Sequence, residues 1–371
     1  MKLTKSNNNM KVKIKDLCEA INGSAFKPTE WSENGLKIVR IQNLNGSDVF
    51  NFYNGNIEKK VLIDDEDIVF SWSGSIGTSF GAFKWNGETA LLNQHIFKIV
   101  PKENVDNHWL YFQLKYNTNK IEKLAHGAGG LVHVKKGDFE SFEISLQSLS
   151  EQVKISHILI NEENKIKKIK KLLEKIEIRN QYYAYKLTSG HIKLNDSVSM
   201  NINKFETIIN EHKKSKVMAG KSLKEGLYPF FNCSKKQTLF SNEYLIDDSV
   251  LLLSTGGTAS VNYYNGKLSY STDVWCITSK YTKYLYYFYN ANINKIEQCF
   301  QGGGLKHLSK KDFKNIEITI PSNDKDIQEI VDYLDKLNDE KEKVEKLLQL
   351  EEQRFEWLSD KLLSGDYIIE N

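Results

Sequence analysis

Two histidines, His133 and His307, stand in matching surroundings: each follows a run of glycines and precedes a lysine pair, Lys135-Lys136 or Lys310-Lys311. A histidine can act as a general base, and glycines beside cations can cradle a phosphate. Neither chemistry finds its remaining parts. No Ser-His-carboxylate or Cys-His arrangement accompanies the repeated histidine, so a turn or DNA-contact role is expected of it. The clusters Gly127-Ala128-Gly129-Gly130 and Gly302-Gly303-Gly304 do not lead from a strand into a helix with an acidic partner downstream, as a dinucleotide site requires. They read as backbone bends. Gly220-Lys221-Ser222 lacks the upstream glycine of a phosphate loop. Cys18, Cys233, Cys276 and Cys299 lie far apart with no C-x-x-C pair, and H-E-x-x-H is absent, which argues against zinc. The prolines Pro28, Pro101, Pro229 and Pro321 are isolated, so there is no Pro-Pro-aromatic motif to hold a flipped adenine. None of them precedes an aspartate, so the commonest nuclease pattern is missing as well. The expectation is a chain with no catalytic residue, no metal and no cofactor of its own.

The elements that would position these residues are written twice. Lys120-Ile121-Glu122 returns as Lys295-Ile296-Glu297, an offset of 175. Gly130-Leu131-x-His133 returns as Gly304-Leu305-x-His307 and Asp138-Phe139 as Asp312-Phe313, at 174; Leu187-x-Ser189-Gly190 returns as Leu362-x-Ser364-Gly365, again at 175. The 371 residues are therefore a tandem duplication. The first part of each copy carries short apolar runs (DIVFSW, HIFKIV, VLLLS, VWCI) punctuated by Gly, Asn and Ser, which read as strands and turns. The stretches WLYFQLKYNTNKIEKLA and YLYYFYNANINKIEQC read as helical. A net charge of +3 is too small to name a nucleic-acid partner by itself. The N-terminus lacks an apolar signal segment and the cysteines suit a reducing compartment, so a cytoplasmic location is expected.

The second part of each copy alternates apolar spacings of four and three. One seam reads Ile155, Leu159, Glu162, Ile166, Ile169, Leu173, Ile176, Asn180, Tyr183, Leu187. The other reads Ile330, Leu334, Leu337, Lys341, Val344, Leu348, Glu351, Phe355, Leu358, Leu362, each the first plus 175. A period of 3.5 kept over more than four heptads predicts a coiled coil. Residues 151–190 hold nine Lys/Arg and five Glu, whereas residues 325–365 hold seven Lys/Arg and twelve Asp/Glu. Opposite net charge favours pairing the two helices with each other. Each flanking ion pair adds only ~0.3–0.5 kcal/mol, so charge selects the partner and the seam supplies stability.

The order of domain, long helix ending L-x-S-G, second domain and second long helix ending LLSG resembles the specificity subunit of type I restriction-modification systems. Within the domains, DIVFSWSGSIG and SVLLLSTGGTASV precede LLNQHIFKI and YSTDVWCI, and the glycine turn then leads into the long helix. The resemblance covers essentially the whole chain. It implies an α+β fold: two tandem mixed α/β recognition domains separated by two long helices that form an antiparallel coiled coil. The expected divisions are 1–10, a flexible tail; 11–147, recognition domain 1; 148–190, long helix 1; 191–321, recognition domain 2; 322–365, long helix 2; and 366–371, a C-terminal tail. It also implies that each domain reads one half of a bipartite asymmetric site in double-stranded DNA. The helices set the spacer and dock two modification (methyltransferase) subunits, which restriction/translocase subunits then join. S-adenosylmethionine, ATP and Mg²⁺ belong to those partners. The first long helix departs from the family in lacking a proline-rich lead-in, which puts its starting geometry in doubt. The competing expectation is a coiled-coil scaffold without sequence-specific DNA recognition.

A DNA reader needs cations for phosphates, and amides, hydroxyls or arginine for base edges. Candidate phosphate contacts are Lys27, Lys84, Lys135 and Lys136 in copy one, and Lys213, Lys214, Lys216, Lys235, Lys236, Lys310 and Lys311 in copy two. The polar loops SWSGSIGTS (71–79) and STGGTAS (254–260) recur with differing side chains, as two different half-sites would require. Candidate base contacts are Arg40, Asn43, Ser73 and Ser75, then Asn232, Ser234, Thr255 and Thr258, with His133 and His307 beside them. Trp72 is a wedge or a core residue. The extra lysines predict that copy two carries more of the salt-dependent affinity.

Overall fold

Four helices of ten residues or more frame the described chain: α1 (Asn107–Glu122), α2 (Leu149–Thr188), α3 (Thr282–Ala291) and α4 (Asp324–Leu363). The structure is a computed structural model and describes residues 3–5, 10–128, 131–234 and 237–370. Local chemistry sets the ends of the long helices. Ser148 Oγ takes the Glu151 N–H while Glu151 Oε2 takes the Ser148 N–H, a reciprocal cap that starts α2 without any proline. Asn323 caps α4 by accepting from Asp326 N at 2.9 Å. Both helices stop at the repeated Ser-Gly because Gly190 (φ 73°) and Gly365 (φ 82°) adopt the left-handed conformation.

The chain divides into two units, residues 1–168 with 348–371 and residues 169–347. The boundaries fall inside α2 and α4 rather than at residues 147/148, 190/191, 321/322 and 365/366. The reason is apolar burial: the helix ends enter the cores. Ile155, Leu159, Leu358, Leu362 and Leu363 lie in the core of unit 1 with Trp109, Phe112 and Phe139. Ala184, Leu187, Ile327, Ile330, Val331 and Leu334 lie in the core of unit 2 with Phe205, Tyr284 and Phe313. Within the segments expected as tails, 1–10 and 366–371, the described residues include a strand pair. Leu3–Lys5 pairs antiparallel with Tyr367–Ile369, and Leu3 and Ile369 pack on the core of unit 1.

In unit 1 an antiparallel sheet orders Cys18–Asn22, Ile96–Pro101, Ile68–Ser71 and Gly81–Lys84. A second sheet orders Asn51–Tyr53, Leu36–Val39, Ala90–Leu92 and Leu62–Ile63, with Leu36–Val39 parallel to Ala90–Leu92. Unit 2 merges the equivalents into one six-stranded sheet: Asn210–Glu211, Val274–Thr278, Ile246–Ser254, Val261–Tyr270, Tyr228–Phe231, Leu239–Ser241. The ten-residue strand Val261–Tyr270 replaces two shorter ones in unit 1, where Trp85 Nε1 bonds Glu88 O at 2.8 Å and closes a turn between them. The second stretch expected as helix breaks at Asn292, whose side chain takes up Phe288 O, leaving α3 and the short helix Ile293–Glu297.

Within each unit the segments of α2 and α4 run antiparallel. Lys165–Glu351 (2.5 Å) and Arg354–Glu162 (3.0 Å) cross the seam in unit 1; Arg179–Glu340 (2.8 Å) and Lys341–Glu177 (2.9 Å) cross it in unit 2. Two of these four draw their cation from the net-acidic helix. Local pairing, and not net charge alone, therefore sets the register. Ile155, Leu159, Ile169, Ile176, Ile330, Leu334 and Leu358 are buried, and Ile166, Leu173, Leu337, Val344, Leu348 and Phe355 are half-buried.

Candidate nucleic-acid interface

In both units the strand that precedes the polar loop (Ile68–Ser71 or Ile246–Ser254) meets a glycine hairpin. The hairpins are His126–Ala128 with Leu131–His133, and Phe300–Gln301 with His307–Leu308. Gly302-Gly303-Gly304 thus lies between two hairpin strands instead of opening a helix, and Gly127 lies in a strand of the first hairpin; Gly129 and Gly130 lie outside the described residues. Each hairpin is tied to its loop: Ser73 pairs with His133, and Gly256 with His307.

The backbone frame around this junction recurs bond for bond. Trp72 N donates to His95 O, and Thr255 N to Asp273 O. Val134 N donates to Trp72 O, and Leu308 N to Thr255 O. Asn93 N donates to Val39 O, and Ser271 N to Phe231 O; Ile96 N donates to Asn93 O, and Val274 N to Ser271 O. These bonds make Arg40 the counterpart of Asn232, Trp72 of Thr255, Gln94 of Thr272, His95 of Asp273, and His133 of His307. The histidine of the hairpin is shared. The other four side chains differ in every case.

The unit 1 set is rich in donors. Arg40 lies over the Trp31 ring (5.5 Å) and donates to Asn51 Oδ1 at 3.2 Å, which fixes its fork. Trp72 stacks on Phe97 at 5.5 Å and meets His95 and His133 edge-on at 5.5 and 6.4 Å. Gln94 Nε2 lies 3.2 Å from His95 Nε2. Among the described residues, Ser71 Oγ, Trp72 Nε1 and His95 Nδ1 are buried without a partner. Burial, followed by the charges of His133 and Arg40, lowers the His95 pKa and favours the neutral ring. Unit 2 presents an exposed carboxylate, Asp273, instead. Its carbonyl is tied down by Thr255 N, Thr255 Oγ1 (2.8 Å) and Cys233 Sγ (3.0 Å), so the residue is held in place by its backbone.

The structure sorts the other sequence candidates. Asn43 spends its amide on backbone: Oδ1 accepts from Arg40 N, and Nδ2 donates to Ser47 O and Val49 O. It shapes the turn behind Arg40 and has no free edge for a base. Lys84 bridges Glu66 (3.0 Å) and His108 over the Tyr111 ring and is largely buried, which removes it from phosphate duty. Ser73 is buried, whereas Ser75 is exposed in the loop. Asn232 Oδ1 caps Ser234 N at 2.9 Å, and Thr258 O accepts from Ser254 Oγ. Lys27, Lys135, Lys213, Lys214, Lys216 and Lys311 are exposed and make no ion pair among the described residues. Lys136 pairs with Glu140 at 3.5 Å. Lys235 and Lys236 lie outside the described residues. Gln94, His95, Thr272 and Asp273 were missed because they sit in segments that read as strands; the signal was polar residues, unlike between the copies, inside an otherwise matching apolar run.

Lys310 and Lys314 both pair with Glu211, at 3.1 and 2.5 Å, and Trp275 Nε1 adds a bond of 2.8 Å. Burial pushes the Glu211 pKa up, but the bonds from Lys314, Lys310 and Trp275 outweigh it and hold the carboxyl at about 2, below its ordinary 4.5. A depressed carboxyl stabilises the fold above the unfolded value and loses that contribution as pH falls through the folded one. The Tm gap between the wild-type chain and Glu211→Gln is therefore expected to be full at neutral pH, to shrink below about 4.5 and to close near 2. Thermal melts at several pH values check this; a gap independent of pH contradicts it.

Two of the buried cysteines are unreactive. Burial pushes the Cys18 and Cys276 thiols up to about 12. Among the described residues no three His, Cys, Asp or Glu side chains are grouped to hold a metal, and no helix is long and apolar enough to cross a membrane.

The family profile of the type I restriction modification DNA specificity domain matches residues 7–178 and again 196–352. The chain is 30% identical over 100 residues to the specificity subunit of the type I restriction enzyme EcoDI from Escherichia coli, which covers 26% of this chain and 22% of that protein. It is 29% identical over 152 residues to the MjaVIII specificity subunit of Methanocaldococcus jannaschii, covering 40% of this chain and 31% of that one. The matched stretches thus span less than a third of these curated relatives. The fold is similar to the S subunit of a type I restriction-modification system from M. genitalium, with a TM-score of 0.64 at 17% identity, covering 96% and 97% of the two chains. It is also similar to a chain from a type I R-M system studied for complex assembly and conformational transition, with a TM-score of 0.59 at 12% identity, covering 98% and 99%.

Proposed function

We propose, from the premise that this chain belongs to the type I restriction-modification DNA specificity family, that it reads a bipartite, asymmetric DNA sequence, one half through each unit, and catalyses nothing itself. The observation that carries this reading is the recurring backbone frame at the loop–hairpin junction, filled with different side chains in the two units. One scaffold used twice with unlike contacts is what an asymmetric site demands. The exposed lysines 213, 214, 216 and 311 support phosphate contacts weighted toward unit 2.

Modification subunits supply methyl transfer, with two docking along α2 and α4, and restriction/translocase subunits complete the assembly. S-adenosylmethionine, ATP and Mg²⁺ sit on those partners; among the described residues Gly302-Gly303-Gly304 lies between hairpin strands and not between a strand and a helix. The working compartment is the cytoplasm.

The test is to sequence the methylome of a host that carries this gene with its cognate modification subunit. Adenine methylation at an interrupted, asymmetric site is expected, with none from the purified chain alone. Methyl transfer by the chain alone, or methylation without a bipartite site, overturns the reading; the second outcome would favour a scaffold.

A further inference from the structure

We infer that the four matched pairs Arg40/Asn232, Trp72/Thr255, Gln94/Thr272 and His95/Asp273 are the positions at which the two units differ in base preference. This deepens the proposed DNA-reading function and rests on it. The pairs come from backbone geometry: in each unit the same hydrogen bonds fix the same four positions around one shared histidine, His133 or His307. What changes between units is donor and acceptor content.

Unit 1 offers donors. Arg40 is oriented by Trp31 and Asn51 and keeps further guanidinium N–H groups for a ligand. His95, whose burial favours the neutral ring, lies edge-on to Trp72. A donor-rich, arginine-led set fits the paired acceptors O6 and N7 of guanine. Unit 2 offers an acceptor at the centre of the same frame. Asp273 is exposed, with its backbone fixed by Thr255 and Cys233. A carboxylate repels the guanine acceptor edge and accepts from an exocyclic amino group, N4 of cytosine or N6 of adenine. The half-site of unit 1 therefore carries guanine at the position facing Arg40 and His95. That of unit 2 carries cytosine or adenine at the equivalent position.

The experiment uses the full chain with its modification subunit and reads the methylome, together with binding to duplexes altered one base at a time. The graft Asn232→Arg, Thr255→Trp, Thr272→Gln, Asp273→His is expected to move the preference of the unit 2 half toward guanine at that position and leave the unit 1 half unchanged. Asp273→Asn, which exchanges one exposed oxygen for an amide nitrogen, is expected to reduce discrimination at the same base by about 5- to 150-fold, and it decides the question if the graft does not fold. Arg40→Lys keeps the charge but loses the fork, and is expected to relax the unit 1 half alone. A folded, methylating graft or Asp273→Asn complex with an unaltered recognition sequence overturns the assignment. A wild-type complex without any bipartite site overturns the proposed function instead, so the two failures are distinct.

Discussion

Replacing Gln147 by leucine is expected to destabilise unit 1 by about 2–5 kcal/mol, although leucine is the more apolar side chain. Gln147 is buried where α4 ends. Its Oε1 accepts from Trp109 Nε1 at 2.9 Å, and its Nε2 donates to Leu362 O at 3.1 Å. Gln113 Nε2 takes the next carbonyl, Leu363 O, at 3.0 Å, and Ser145 Oγ takes Ser364 O. The last carbonyls of a helix have no partner within it, and inside a core they cannot turn to water. Three polar side chains of the recognition domain therefore finish the last helix of the chain. Leucine at 147 leaves Trp109 Nε1 and Leu362 O both buried and unpaired, each costing about 1–3 kcal/mol, with some return from apolar burial. The measurement is a lowered Tm together with lost amide-exchange protection near 358–364. Unit 2 solves the same problem with one hydroxyl: Tyr284 Oη reaches Thr188 O (3.2 Å) and Thr319 O (2.8 Å). Tyr284→Phe is accordingly the milder change, about 1 kcal/mol. If Gln147→Leu melts like the wild-type chain, these bonds do not hold the helix end.

Much of this architecture could be read from the residues. The offset of 175, the gapless seam and the Ser-Gly stops announced two copies and two long helices, because periodicity and left-handed glycines are local signals. Gln147 shows where such reading stops. It stands at the end of the first recognition domain with no local pattern to single it out, and its partners lie 38 and 215 residues away in sequence. The same holds for Lys84, whose type suited DNA and which Glu66 and His108, 18 and 24 residues away, gave other work. Asn43 fails for a local reason: the backbone of its own turn, at Arg40, Ser47 and Val49, takes up its amide. His95 and Asp273 went unnoticed for the opposite reason: each lies just before an apolar strand, so its surroundings spoke of core. The backbone bonds of the frame pair the two positions directly.

The phenylalanine of the repeated Asp-Phe pair enters the core of each unit. Phe139 and Phe313 are fully buried, each inside a ring cluster. Phe139 meets Phe70 at 4.7 Å and Phe97 at 5.3 Å; Phe313 meets Phe205, Tyr289 and Trp275 at 4.8, 4.9 and 5.4 Å. Truncation of a buried phenylalanine to alanine costs about 3–5 kcal/mol, because the cavity forfeits contacts as well as burial. A Tm drop and local loss of exchange protection are expected for Phe139→Ala in unit 1 and for Phe313→Ala in unit 2. The consequence reaches the reader because the clusters continue beneath it. Phe97 supports both Phe139 and the stacked Trp72, and Trp275 touches Phe313 while its indole N–H holds Glu211. With Phe139 gone, the platform under Trp72 and His95 gains room, so discrimination in the unit 1 half-site should relax at temperatures where the chain is still folded. Phe313→Ala should do the same for the other half. Methylomes of the two variants, grown below their melting transitions, separate the possibilities. Equal loss in both halves from either variant would mean that these rings stabilise the chain as a whole without positioning the bases of their own unit.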